Sequence, residues 1–166
     1  YRQFLLFDTS ALGDTDTIDS GSVILMTDDT LIDQLGDDTV LTDSNPGSNT
    51  SIEASDYQTM VSTTAQSDTQ VDVGDYGVDL ATVTFPLNAA GLATVTAARA
   101  GITKFGGRLS SDHDASIGTN ATTMAAKWGS GYQSTPRYYS ANYGAARAPK
   151  LTILHTTPFT PKLIMF

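Results

Sequence analysis

Four consecutive apolar residues, Phe4-Leu5-Leu6-Phe7, stand near the start of the chain and are bounded by Asp8-Thr9-Ser10. Alternation puts Phe4 and Leu6 on one face of a strand and Leu5 and Phe7 on the other, the pattern of a strand covered on both faces. Such a strand needs neighbours beside it and layers over it, so it predicts a sandwich arranged around this stretch. A polar turn over residues 10–16 follows, and then a second strand from Ile18 to Met26, whose Val23–Met26 run is again two-sided. The Asp-, Thr- and Ser-rich residues 27–68 hold few aliphatics. Short strands are expected there near Thr30–Leu35 and Thr39–Thr42. One or two helical turns within Ser51–Val61 would bury Tyr57, Met60 and Val61.

Strand periodicity returns at Thr69–Val73 and at Leu80–Phe85, where Ala81, Val83 and Phe85 point one way and Thr82 and Thr84 the other. Asn88 suits the N-cap of a helix over Ala89–Ala100, with Gly101 at the position that favours a left-handed residue. Leu87 before the cap and Leu92 inside the helix form a hydrophobic staple, and Leu92 and Val95 give the buried stripe. Ile102–Leu109 reads as the next strand, 110–135 as a second long polar region, Pro136–Ser140 as a short strand, and Pro149–Leu154 as a closing strand. Short strands between turns with a single helix mean an all-β sandwich.

Composition narrows the class. A chain of 166 residues with 40% apolar content and mean hydropathy −0.13 is sized for one globular domain, and no apolar run approaches a membrane span. The absence of cysteine excludes disulfides, thiol catalysis and Cys-based zinc sites. A start at Tyr1, without Met or a signal-peptide pattern, suggests a processed product or a piece of something longer. The net charge of −9 disfavours nucleic acid. Sixteen acids and one base precede Arg99, whereas two acids and eight bases stand from Arg99 onward, so the two parts carry −15 and +6. This asymmetry is either neutralised within the fold or makes a dipolar subunit whose acidic end meets the basic end of a neighbour.

The order of the pieces is similar to a known group. Arg2-x-Phe4-Leu5-x-Phe7-Asp8-Thr9-Ser10 is followed by Thr17-Ile18-Asp19-Ser20-Gly21-Ser22-Val23. Phe85-Pro86-Leu87-Asn88-x-x-Gly91-Leu92, Thr103-Lys104-Phe105-Gly106-Gly107-Arg108 and Ala148-Pro149-Lys150-Leu151-Thr152-Ile153 come later. The pattern resembles the disaggregatase-related jelly-roll modules, a group that includes alginate-type carbohydrate-binding modules and has relatives in bacteriophage structural proteins. The resemblance runs from Tyr1 to about His155 and is carried by core and turn residues. It implies a jelly-roll-like antiparallel β-sandwich with one or two short helices over residues 1–155, non-catalytic, and extracellular or on a virion surface. Residues 27–68 and the tail 156–166 depart from the pattern.

Candidate chemistry is sparse. There is no Gly-x-Ser-x-Gly elbow, and His113 and His155 are the only histidines. His155, ending a strand, reads as structural. Eighteen acids always permit a pair of carboxylates, so glycosidase chemistry gains nothing from the count. Asp112-His113-Asp114, Asp14-x-Asp16 and Asp28-Asp29 offer hard oxygens, but none matches the twelve-residue calcium loop. They read as solvated turn carboxylates, with a structural calcium as the alternative and no other cofactor expected.

Two clusters point to binding. Trp128, Tyr132 and Tyr139, with Tyr138 and Tyr143 beside them, concentrate aromatic faces near Lys127 and Arg137. Such faces stack on sugars, and Arg pairs with a uronate carboxylate. The bland alternative is that Trp128 plugs one end of the sandwich. In the tail, Pro161-Lys162-Leu163-Ile164-Met165-Phe166 echoes the strand Pro149–Leu154, leaving Leu163, Ile164, Met165 and Phe166 without an obvious place in the core. The segment either folds back on its own domain, leads into an absent domain, or adds to a neighbour's sheet edge, and the last makes these four residues the candidate partner-binding segment. The expected partners are copies of this chain or other surface or capsid proteins, and polysaccharide as a second ligand. Neither nucleic acid nor membrane is expected. The reading is a non-catalytic structural or decorating module of a surface assembly, most simply a phage virion. The alternative is a carbohydrate-binding module for an acidic polysaccharide.

Overall fold

The computed structural model describes residues 2–27, 32–33, 38–60, 62–72, 81–113, 134–135, 138, 140, 142 and 144–158. The chain is predominantly β, and every strand pairing is antiparallel. The strands are β1 (Arg2–Asp8), β2 (Thr17–Met26), β3 (Ile32–Asp33), β4 (Asp38–Asp43), β5 (Val71–Asp72), β6 (Thr82–Pro86), β7 (Ile102–Leu109), β8 (Ser134–Thr135) and β9 (Lys150–Thr156). Helix α1 covers Ala89–Ala97, α2 is the single turn Ser110–His113, and a 3-10 helix spans Ala54–Thr59. The sheets have the orders β1-β7-β4-β5, β6-β2-β9 and β3-β8. No helix among the described residues is long and apolar enough to cross a membrane.

The two larger sheets share one core. Leu5, Leu41, Phe105 and Leu109 from the four-stranded sheet join Val23, Leu25, Val83 and Phe85 from the three-stranded one, with Val95 of α1 added at the side. Phe7 meets Phe105 edge-to-face, ring centroids 6.4 Å apart. Strand β6 follows its sequence alternation: Val83 and Phe85 are buried, whereas Thr82 and Thr84 are exposed.

The opening strand has a different place from the one its pattern implies. β1 pairs only with β7 among the described residues, so it lies at a sheet margin, with Leu5 buried and Phe4 and Leu6 half-buried. The strand sealed on both faces is β4, where Thr39, Val40, Leu41 and Thr42 are all within 1% of full burial. Its neighbour β7 is held on both edges, by β1 and by β4. Residues 44–60 run across the outer side of these strands and lay Met60 over Gly106, where an added Cβ would meet Met60 Cε at 2.5 Å. Met60 is fully buried as expected; Tyr57 is 45% exposed, which corrects the expectation of a buried ring, and Val61 lies outside the described residues. The expected strands near Thr30–Leu35 and Thr69–Val73 are described only as Ile32–Asp33 and Val71–Asp72.

Helix α1 begins as its cap dictates: Asn88 accepts a hydrogen bond from the Gly91 amide at 3.0 Å. It ends three residues earlier than the pattern predicts, at Ala97, and the left-handed residue is Ala100 (φ 58°) rather than Gly101. Gly101 instead donates to the Ala98 carbonyl and accepts from Thr9, joining the end of β1 to the start of β7. Gly91 lets the helix lie against the Gln66 backbone, because a Cβ there would stand 2.3 Å from the Gln66 carbonyl oxygen.

Two substitutions separate these backbone effects. Gly91→Ala should lower stability by about 1–2 kcal/mol despite alanine's better helix propensity, since the clash is with backbone. Ala100→Gly should raise stability by about 0.5–1 kcal/mol, the left-handed cost relieved less the entropy of a glycine. Thermal unfolding followed by circular dichroism reads both, and equal signs for the two variants would contradict this account.

Candidate functional site

All the binding residues predicted from the sequence lie outside the described residues: Trp128, Tyr132, Arg137 and Tyr139 of the aromatic cluster, and Leu163, Ile164, Met165 and Phe166 of the tail. Their neighbour Tyr138 is described. It bridges to Thr27, packs against the core, and donates its hydroxyl to Thr39 Oγ1 at 3.0 Å. Three other places gather polar or exposed groups.

The first is a charged knot on the outer side of the four-stranded sheet. β1 and β7 bring Arg2 opposite Arg108, and one turn past β7 the chain returns Asp112. Arg2 holds Asp112 with two parallel hydrogen bonds of 2.9 Å, and Arg108 Nε reaches Asp112 Oδ2 at 2.9 Å. Arg108 also donates to the carbonyls of Ser62 and Asp112, and Arg2 to the carbonyl of Tyr57, whose ring lies 4.2 Å under the guanidinium carbon. Arg108 is only 4% exposed. Burial pushes the Asp112 carboxyl up, but hydrogen bonds from Arg2 and then Arg108 outweigh this and hold it at about 2. Asp112 therefore serves as counterion to both arginines, and Asp114 of the same triplet lies outside the described residues.

The second is a clasp between the loop before β2 and the end of β9. Asp16, 3% exposed, accepts from the Gly13 amide at 2.9 Å and lies 2.8 Å from His155 Nδ1. The Gly13 amide keeps the Asp16 carboxyl below the usual carboxylate range against the opposing effect of burial, with smaller help from Thr157 and His155. Arg99 donates to the Asp16 carbonyl. His155 thus has the structural place its position suggested. A third carboxylate, Asp56, ties the 44–60 loop by accepting from Gly47 and Glu53, both at 2.8 Å. Among the described residues no three His, Asp or Glu side chains converge to hold a metal ion.

The third place was not singled out from the sequence. Val23, Leu25, Val83, Phe85, Leu151 and Ile153 of the three-stranded sheet turn to the core, so Ser22, Ile24, Met26, Thr82, Thr84, Thr152 and Leu154 turn away from it. Register aligns Pro86, Ser22 and Thr152 in one row and Thr84, Ile24 and Lys150 in the next. Thr82, Thr84, Thr152 and Leu154 are exposed, Leu154 at 63%. A shallow groove between Met26 and Ala146–Ala148 marks one end of this face. Its charged groups stand at opposite ends of β9: Lys150 at the start, and Asp19, which accepts from Thr156 Oγ1 at 2.7 Å, at the finish. The alternation Lys-x-Thr-x-Leu-x-Thr in β9 was the signal available for it.

Compared with known proteins, this chain matches no family model, no curated protein and no solved structure.

Replacing Asp112 tests the knot. Asp112→Ala should cost about 2–3 kcal/mol, less than a fully buried pair because the carboxylate is one-fifth exposed, and more than a surface pair because Arg108 stays buried. The sign of the pH effect follows from the depressed value. The contribution is complete above the unfolded carboxylate value near 3.9 and is lost as pH falls toward 2. Between about pH 4 and 2 the native protein should lose about 1–2 kcal/mol through this group, after allowance for screening. Urea titrations at stepped pH should show a shallower acid loss in the variant; parallel curves would contradict the role assigned to Asp112.

Proposed function

We propose that this chain is a non-catalytic, jelly-roll-like β-sandwich module that works by contact. It serves as a structural or decorating part of an extracellular or virion-surface assembly, the phage particle being the setting its sequence pattern implies. The observation that carries this reading is the open face of the three-stranded sheet. A face bearing threonines and aliphatics, with Leu154 63% exposed, has the character of a contact surface rather than of a solvated exterior. Asp112, Asp16 and Asp56 serve the fold, each accepting hydrogen bonds from donors of this chain.

A second reading is a carbohydrate-binding module for an acidic polysaccharide. Its support is the sequence cluster Trp128, Tyr132, Tyr139 and Arg137, whose aromatic faces and guanidinium suit a uronate chain.

One paired experiment separates the two. Sedimentation velocity across a wide concentration range is run beside affinity electrophoresis in alginate and in a neutral glucan. Self- or co-assembly without retardation supports the contact module. Retardation by alginate that Trp128→Ala abolishes supports the second reading. A chain that neither associates nor is retarded, or one that releases unsaturated sugar ends from alginate, refutes both.

A further inference from the structure

We infer that the open face of the three-stranded sheet is a two-fold interface between copies of this chain, closed by Lys150 of one copy meeting Asp19 of the other. This rests on the contact-module reading and names its partner. The chain carries a net charge of −9, so two copies repel over most of their approaches. The face avoids that cost, because among the described residues its outward strand positions between Lys150 and Asp19 are uncharged, Thr152 and Leu154 at the centre.

The ends supply the register. Outward-facing positions along β9 run Lys150, Thr152, Leu154, Thr156, and Asp19 is fixed beside Thr156 by a 2.7 Å hydrogen bond. An axis lying in the interface and crossing β9 between Thr152 and Leu154 reverses the strand onto its copy. Lys150 then falls on Asp19 of the second copy, Asp19 on its Lys150, and Thr152 on its Leu154. A self-complementary patch of this kind is what an isologous dimer requires. Head-to-head alignment, with the strands parallel, would instead set Lys150 against Lys150 and Asp19 against Asp19, so the charges select the antiparallel arrangement. Two stacked sheets with strands roughly antiparallel also meet the packing geometry of sheet faces.

The test is sedimentation equilibrium of the full chain and five variants, each first shown by thermal unfolding to be folded. Lys150→Asp and Asp19→Lys should each weaken association by about tenfold or more by setting like charges opposite. The double exchange should restore association to within about threefold of the original, since the pair is rebuilt with its signs reversed. Leu154→Lys should weaken it at the centre of the patch. Ile52→Lys, a control at another exposed aliphatic (55%) on the 44–60 loop, should leave it unchanged. Association of the unaltered chain that survives all the face variants, or that Ile52→Lys weakens equally, would overturn this interface while leaving the contact-module reading standing. An unaltered chain that stays monomeric throughout would overturn the interface, and the assay of assembly and glycan binding above then decides the wider reading alone.

Discussion

A guanidinium buried at 4% exposure has to be answered within hydrogen-bonding distance, and the arrangement of the four-stranded sheet depends on how Arg108 is answered. Its partner Asp112 lies four residues later, and Arg2 of the adjoining strand grips the same carboxylate. Ser62 at the end of the long loop takes the remaining bond. Three segments far apart in sequence are thus tied at one point: the chain start, the 44–62 loop and the exit from β7. The loop can then lay Met60 on Gly106, on the side of the sheet where Val40, opposite Arg108, is fully buried. This is why β4, which holds only two aliphatic residues, is buried on both faces.

The uneven charge along the chain has its physical outlet here. Basic residues of the later part reach back into the acidic first part: Lys104 bonds the Pro46 carbonyl close enough to Asp56 to lower its proton affinity, Arg99 bonds the Asp16 carbonyl, and His155 closes on the Asp16 carboxylate. Some of the −15 and +6 is therefore consumed inside the fold, through antiparallel strands that interleave the two parts. Among the described residues, the outward strand positions of the three-stranded sheet carry charge only at its ends, Lys150 and Asp19.

Much of the architecture was legible in the sequence where one local signal was sufficient. Val83 and Phe85 alternate with Thr82 and Thr84, and Asn88 with Leu87 and Leu92 announces the start of α1, because both signals act over neighbouring residues. The errors came where distant partners decide. Phe4–Phe7 looked central because four apolar residues in a row match a covered strand, yet β1 sits at the margin and half-buries Phe4 and Leu6. The strand expected at Thr39–Thr42 is found as β4, but nothing local announced its burial on both faces, where Thr39 and Thr42 lie among buried neighbours and Thr39 is bonded by Tyr138. Tyr57 reads as a core aromatic but serves as a platform for Arg2, a contact no spacing rule reveals. Of the candidate sites, the carboxylates were visible as residues but not as counterions, since their roles depend on Gly13, Gly47, Arg2 and Arg108. The open sheet face escaped notice because threonine in a strand looks like ordinary solvent-facing patterning until register aligns three strands.

The two sheets differ in a way that bears on how such a chain works. The four-stranded sheet uses its outer side for the fold itself, where the 44–60 loop, Met60 and the arginine knot lie. The three-stranded sheet spends only its inner side on the core, and Leu154, Thr152, Thr84 and Thr82 remain accessible on the other. On the contact-module reading proposed above, a face whose described outward positions carry charge only at Lys150 and Asp19 would bind at short range, with shape and the dehydration of a modest apolar centre giving affinity and the end charges giving alignment. In that arrangement Lys150 and Asp19 contribute orientation more than strength, because both remain close to solvent, and the burial of Leu154 supplies the favourable term.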